Sequence, residues 1–503
     1  MRLATAVLAW IALASPLQAQ TAPHDLWTPE VLQKIRDPRT LNLQIVPRPG
    51  YAEVFFDSAT DAAWADSERP YRVHKRATIR IHGYLATPAA GGPYPALVIG
   101  HGHGGEAELD AARVISALGY GAFSISGPRA GLSTGGPEDT EQAWISTEEK
   151  TNEPSPEVSY LYHYAYAGMR ALTALEALAA LPGNPYRIDG TKLGIAGASM
   201  GGQLTYYVNG VDDRVKAAVA IAVAGDWLEV LEYPGAWLYH GLYYHTRSGF
   251  PSGVDALNTI SSCNDPTLAT FAAYFDPISY APTQHAPLLT IIGSHDQYFV
   301  PPAINTTYDR VAAAGGSSPR FIKRLYIAPN GEHGVINDGN MVATVLALLG
   351  TIDRWLKYSF GSGPVPVETP AISMEASGGW MTFRVAAAPG GAPTAAARLF
   401  VASQMDTTPE APCDFAGVPL IATGGEYVGH VRIGHRPRCG PPITPENVLY
   451  FASVADASAY TVSSKLYYRT GELTFGSGFA PTIEHWGRDD FPVVPPPMCS
   501  AGR

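Results

Sequence analysis

Apolar positions along the chain change their period several times, and the changes mark out the elements. From 77 to 85 apolar and polar residues alternate as in an exposed strand, whereas Tyr94–Gly100 (YPALVIG) is apolar throughout and reads as a buried one. Residues 111–118 take a helical period, 119–126 (GYGAFSIS) a strand pattern, and 159–181 a long helix. The helix carries its core stripe at Leu161, Ala165, Gly168, Leu172, Leu175 and Ala179, and Pro182 and Gly183 end it. Strand 192–196 (KLGIA), a helix from Met200, and strands 215–224, 287–293 and 321–327 follow. Apolar strands separated by helices predict a parallel sheet covered on both faces. Residues upstream of 77 show no regular period and read as an N-terminal extension, 20–76.

Two departures from this rhythm divide the chain further. Between 226 and 284 lies an insertion rich in Trp and Tyr, expected to form a helical cap over the C-terminal edge of the sheet. The stretch "GSGPVPVETP" at 361–370 is a linker. Beyond it, short alternating strands at 380–385, 398–403, 427–433 and 448–454 predict an all-β sandwich over 371–503. The sheet-forming part is then a domain of residues 77–360. No internal repeat is present.

The first residues, MRLATAVLAWIALASPLQAQ, combine one arginine, a short apolar run and a small residue at Ala19. That is the pattern of a secretory signal peptide, 1–19, and it implies a secreted or periplasmic protein. No later segment is apolar for long enough to serve as a membrane anchor. Of the 503 residues, 46 % are hydrophobic and 16 % charged, and the net charge is −11. A chain this acidic, without runs of Lys or Arg, is not expected to bind nucleic acid. Four cysteines in an exported chain permit disulfides; Cys413 and Cys439 are the expected pair, with Cys263 and Cys499 pairing across domains or staying free.

The candidate chemistry sits at strand ends. "GASMGG" places Ser199 in a G-x-S-x-G turn between a buried strand and a helix, where the hydroxyl projects above the sheet and the Met200 N–H can face developing negative charge. A serine needs a base and the base an orienting acid. Asp296 in "GSHDQYF" follows strand 287–293 and His333 in "NGEHG" follows strand 321–327, with Asp226, at the end of strand 215–224, as a reserve acid. "HGHGG" at 101–105 admits three readings. It could ligate zinc together with Glu106, His295 and Asp296; it could hold a dinucleotide pyrophosphate; or it could donate an oxyanion-hole N–H, that of His103. The zinc reading lacks a second paired-histidine motif. The dinucleotide reading lacks an acid after the next strand, which reads Ser124-Ile125-Ser126, and with Arg129 nearby only an NADP variant of it stays open. A site without metal or cofactor is therefore expected. Trp227, Trp237 and Tyr243 of the insertion are candidates for a substrate-binding wall, or equally for the core of the cap.

Over about 77–356 the motifs "HGHGG", "GPRAGLSTG", "GASMGG", "PLLTIIGSHDQYF" and "NGEHG" resemble the α/β-hydrolase superfamily, and within it secreted esterases grouped with acetyl xylan esterases and dienelactone hydrolases. The resemblance implies an α/β-hydrolase fold and cofactor-free ester hydrolysis: Ser199 attacks, His333 carries the proton, Asp296 orients His333, and the amides of Met200 and His103 hold the oxyanion. Dienelactone hydrolases have cysteine where this chain has Ser199, and "SMGG" is nearer to lipases and bacterial polyester hydrolases, so the substrate is a small or polymeric ester of open identity. A serine peptidase of the same fold and a non-catalytic binding protein are the competing expectations. The C-terminal sandwich lies outside the resemblance and would contact carbohydrate or brace the fold.

Overall fold

The computed structural model describes residues 23–64, 76–139, 156–232, 266–296, 298–335, 341–405, 415–437, 440–458 and 460–479. The expected signal peptide, all four cysteines, and Trp237 and Tyr243 lie outside the described residues.

Helix α1 (Pro29–Arg36) leads to strands β1 (Gln44–Arg48), β2 (Tyr51–Asp57), β3 (Arg80–Ala86) and β4 (Tyr94–Gly100). Then come α2 (Leu109–Ala117), β5 (Gly121–Ile125), α3 (Tyr160–Ala179), β6 (Ile188–Ala198), α4 (Met200–Val211) and β7 (Val215–Ile221). The ends of the insertion form α5 (Trp227–Glu232), α6 (Pro266–Phe275) and α7 (Pro277–Tyr280), before β8 (Leu288–Gly293), α8 (Pro301–Arg310), β9 (Lys323–Ala328) and α9 (Met341–Ser359). The nine strands make one sheet in the order β1-β2-β3-β5-β4-β6-β7-β8-β9. Pairs from β1 through β3 to β5 are antiparallel, and every pair from β5 to β9 is parallel.

Successive residues of the central strands enter opposite cores, as the pleat requires. Val98, Ile195 and Ala218 face the layer containing α3 and α4, while Leu97, Ala217 and Val219 face α9 and the C-terminal strands. Trp355 of α9 fixes its side of the sheet by donating Nε1–H to the Ala218 carbonyl at 3.0 Å.

The segment upstream of 77 corrects the sequence reading. Rather than an irregular start, it supplies β1 and β2 to the sheet and α1 against α3. For the same reason β3 is an internal strand with Ile81 and Leu85 fully buried, and not the exposed strand its alternation suggests. Arg170 of α3, itself 1 % exposed, fastens this extension: its guanidinium donates to the carbonyls of Lys34, Ile35, Asp37 and Asp57.

The C-terminal strands form two antiparallel sheets. One orders β10 (Ala371–Ser377), β11 (Trp380–Ala386), β14 (Ile421–Thr423) and β15 (Glu426–Arg432) as β10-β11-β15-β14. The other is built on β12 (Thr394–Ala402), β13 (Ala416–Pro419), β16 (Leu449–Asp456) and β17 (Thr461–Ser463). Met381, Phe383 and Val385 point inward and meet Tyr450 of the facing sheet, the Phe383 and Tyr450 rings lying edge to face at 5.0 Å, which is the expected sandwich. The sandwich is not a loose appendage. Ile327 N–H donates to Ser463 Oγ at 3.0 Å, Asn305 Nδ2 bonds the carbonyls of Leu466 and Leu473, and Arg324 Nε holds the linker by donating to the Val367 carbonyl at 2.7 Å. Among the described residues no helix is long and apolar enough to cross a membrane.

Candidate active site

Ser199 stands between β6 and α4 with φ 57° and ψ −120°, a conformation a side-chain-bearing residue adopts only when its surroundings hold it there. The surroundings are backbone. Ser199 N–H donates to the Ile221 carbonyl at 2.9 Å, and the turn is crowded enough that a Cβ on Gly201 would run into the Gly100 carbonyl and one on Gly202 into that of Ile221. The motif glycines are therefore steric requirements. α4 begins at Met200, so the free amides of its first turn and the positive end of its dipole lie beside the serine.

β8 and β9 deliver the other two side chains. Asp296 is fully buried; its Oδ1 accepts the backbone N–H groups of Tyr298 and Phe299, both at 2.9 Å, and its Oδ2 lies 2.9 Å from Nδ1 of His333. Of the two sequence candidates for the acid, Asp296 is the one paired with the histidine. The His333 ring is packed by Tyr298, with ring centres 4.3 Å apart, and by Phe299 at 5.9 Å. Burial alone would lower the His333 pKa, but the Asp296 charge and hydrogen bond, helped by Glu332, outweigh it and raise the imidazole above its ordinary range.

Asp226 belongs to a different construction. It sits at φ 64° where the insertion leaves the sheet, and burial, with Glu229 nearby, pushes its carboxyl up to about 6. The two roots of the insertion are joined by Asp276, whose carboxylate accepts the N–H groups of Asp226 at 3.0 Å, Trp227 at 2.6 Å and Ile278 at 2.9 Å. Trp227 is 5 % exposed and packs on Phe271, and its buried Nε1 has no hydrogen-bond partner among the described residues.

The two histidines of "HGHGG" do unlike things. His101 is buried; its Nδ1 bonds the Gly102 carbonyl at 2.7 Å and its Nε2 accepts the Gly127 N–H, also at 2.7 Å. That pattern needs the neutral tautomer with hydrogen on Nδ1, in keeping with a pKa that burial lowers. His101 thus ties the loop after β4 to the "GPRAG" loop after β5. His103 Nδ1 meets Asp139 Oδ1 at 2.9 Å, and the other oxygen of Asp139 accepts the Gly104 N–H at 2.7 Å. Gly102 passes close to the serine: a Cβ there would stand 3.4 Å from Ser199 Cβ and 3.8 Å from its Oγ. His295 is bonded to Ser294 through Nδ1, and among the described residues no group of three His, Cys, Asp or Glu side chains is arranged to hold a metal ion. Sequence reasoning missed Asp139 and Asp276, because each acts on backbone far away in the chain and neither lies in a motif.

Residues 150–358 match the family described as PhoPQ-activated pathogenicity-related protein. Autocrine proliferation repressor protein A of Dictyostelium discoideum is 28 % identical over 156 residues, covering 31 % of this chain and 29 % of that protein, so the match spans about three tenths of the relative's length. Among solved structures, acetyl xylan esterase 1 from a Thermoanaerobacterium species is similar at 16 % identity with a TM-score of 0.41, covering 65 % of this chain and 92 % of the other. An acetyl xylan esterase from a Paenibacillus species gives 15 % and 0.44, covering 65 % and 93 %. The strand order, the strained serine between β6 and α4, and the acid and histidine after the last two strands of the sheet establish that this chain has the α/β-hydrolase fold.

Proposed function

We propose that the chain hydrolyses carboxylic esters through a Ser199-His333-Asp296 triad and an acyl-enzyme intermediate. The observation that carries the reading is the hydrogen-bonded His333-Asp296 pair on the same sheet edge as a serine held in a strained turn. Asp296 accepts a hydrogen bond from Nδ1–H of His333, so Nε2 is the nitrogen that takes the proton of Ser199 as its oxygen attacks the ester carbonyl. The backbone N–H groups of Met200 and His103 receive the carbonyl oxygen as it gains charge. Each such donor contributes about 2.7–4 kcal/mol to lowering the barrier. His333 then returns its proton to the leaving alcohol, and a water repeats the cycle on the acyl group.

An apolar cavity of about 360 Å³ supports a substrate with a hydrophobic acyl part. It runs under the loop after β4, with Gly102 and Ala198 at its upper end, Ile99, Ala196 and Ile221 as floor, and Ala111 of α2 and Leu349 of α9 among its walls. The N-terminal pattern supports export, and with it an extracytoplasmic ester as the substrate class.

The test is a panel of p-nitrophenyl esters and aminoacyl p-nitroanilides with the wild-type chain and Ser199→Ala. Ester turnover that falls by on the order of 10⁴-fold or more in the alanine variant, with little anilide cleavage, is the expected result. Equal activity of the two proteins would remove Ser199 from the chemistry.

A further inference from the structure

Asp296 and His333 lie on loops, and loops at strand ends are free to move unless something outside them holds them. The two loops are first woven into each other. Ser294 N–H donates to the Ala328 carbonyl at 3.0 Å, His295 N–H to that of Gly331 at 2.8 Å, and Asn330 N–H to Ser294 Oγ at 2.8 Å. Their backbones approach so closely that a Cβ on Gly293 would strike the carbonyls of Gly331 and Glu332.

A third body grips this weave. Phe415, just ahead of β13 in the sandwich, exchanges both backbone groups with one side chain: its N–H donates to Asn330 Oδ1 at 2.9 Å, and its carbonyl accepts from Asn330 Nδ2 at 3.0 Å. The Phe415 ring, 4 % exposed, meets the His295 ring edge to face at 5.7 Å and is backed by Phe451 of β16 at 5.1 Å. One residue of the sandwich therefore touches the neighbour of Asp296 through its ring and, through its backbone, the residue three before His333. Asn330 itself sits at φ 54°, in the left-handed region that asparagine tolerates better than most side chains, which turns its amide out of the loop toward the sandwich.

We propose that the C-terminal sandwich is a positioning element of the hydrolytic site, acting through the Asn330-Phe415 clamp to hold the His333 and Asp296 loops in register. The proposal rests on the triad reading above and deepens it. Small misplacement of a reacting group costs rate far more than affinity, so the clamp acts on kcat. Its loss leaves the loops joined to each other but free to drift together relative to Ser199.

The test uses the full chain with Asn330→Gly, which keeps the left-handed backbone and deletes both clamp bonds, and Asn330→Asp, which keeps the acceptor for Phe415 N–H. With p-nitrophenyl acetate the glycine variant is expected to lose about tenfold or more in kcat with KM nearly unchanged, and the aspartate variant to recover part of it. The downfield proton NMR signal of His333 Nδ1–H reads the same geometry without turnover. It is expected to broaden or vanish in Asn330→Gly and to persist in Asn330→Asp. Phe415→Leu, which keeps the backbone pair and removes the ring contact with His295, is expected to fall between wild type and Asn330→Gly in both readouts. Wild-type kcat together with an unchanged NMR signal in Asn330→Gly would overturn the clamp. Loss of the signal in a chain whose ester turnover is indifferent to Ser199→Ala would uphold the clamp and overturn the esterase reading instead.

Discussion

Asp296 meets His333 with one carboxylate oxygen, at 2.9 Å from Nδ1, and spends the other on the N–H groups of Tyr298 and Phe299. The backbone bonds fix the plane of the carboxylate, and the plane fixes which imidazole nitrogen keeps its hydrogen. In Asp296→Asn the Oδ1 contacts can survive, but the remaining position becomes an amide donor facing an N–H. The imidazole then takes the other tautomer, with its acceptor turned away from Ser199. Steady-state kinetics on p-nitrophenyl acetate should show a kcat loss on the order of 10³–10⁴-fold with a near-native melting temperature.

The same pair sets the pH response. The Asp296 charge and hydrogen bond overcome the effect of burial and hold the His333 pKa above 6.5. Only neutral His333 can act as a base, so the acid limb of kcat/KM should have its midpoint above 6.5 in the wild-type chain and move down in Asp296→Asn, where the charge is gone. Stability runs the other way. The folded chain binds this proton more tightly than the unfolded one, so the pair's contribution is full below the unfolded value and fades as pH rises through the folded one. A pH series of kcat/KM and of thermal midpoints on the same samples checks both signs; a limb centred below 6.5 would contradict the pairing.

The parallel half of the sheet was legible because the buried stretches of its strands are largely apolar: the sequence bounds of β4 match the structure, and β6 to β9 are recovered within a few residues. The strained turn at Ser199 and the Asp296-His333 pair were legible because each residue follows a strand of the sheet, β6, β8 and β9 in turn, within a short motif. What failed to show was long-range. β1 and β2 lie at the antiparallel edge, where exposed residues such as Arg48 dilute the pattern, and what ties them down is Arg170, a charge hidden inside a helix whose apolar stripe gave no hint of it. Asn330 likewise reads as an ordinary loop residue in "PNGEHG"; its partner is 85 positions away, and no local period records such a pairing.

The cavity under the loop after β4 makes a prediction about substrate. Its floor is the C-terminal end of three adjacent strands, where Ile99, Ala196 and Ile221 are only partly covered, and Ala198, next to the serine, is exposed. Central strands of such a sheet are normally covered on both faces, and the proposed reaction would use this opening between α2 and α9 as an apolar bed for the acyl part of its ester. A buried methylene contributes about 0.8 kcal/mol, and several of them would favour a medium chain over acetate by one to a few orders of magnitude in kcat/KM. Ala111 points from α2 into the space, and a phenyl ring there would fill much of it. The ratio of kcat/KM for p-nitrophenyl octanoate over acetate should therefore drop about tenfold or more in Ala111→Phe. Because both substrates are read on the same protein, any loss of folded enzyme cancels from the ratio. A ratio equal to wild type would place the acyl chain elsewhere on the sheet edge.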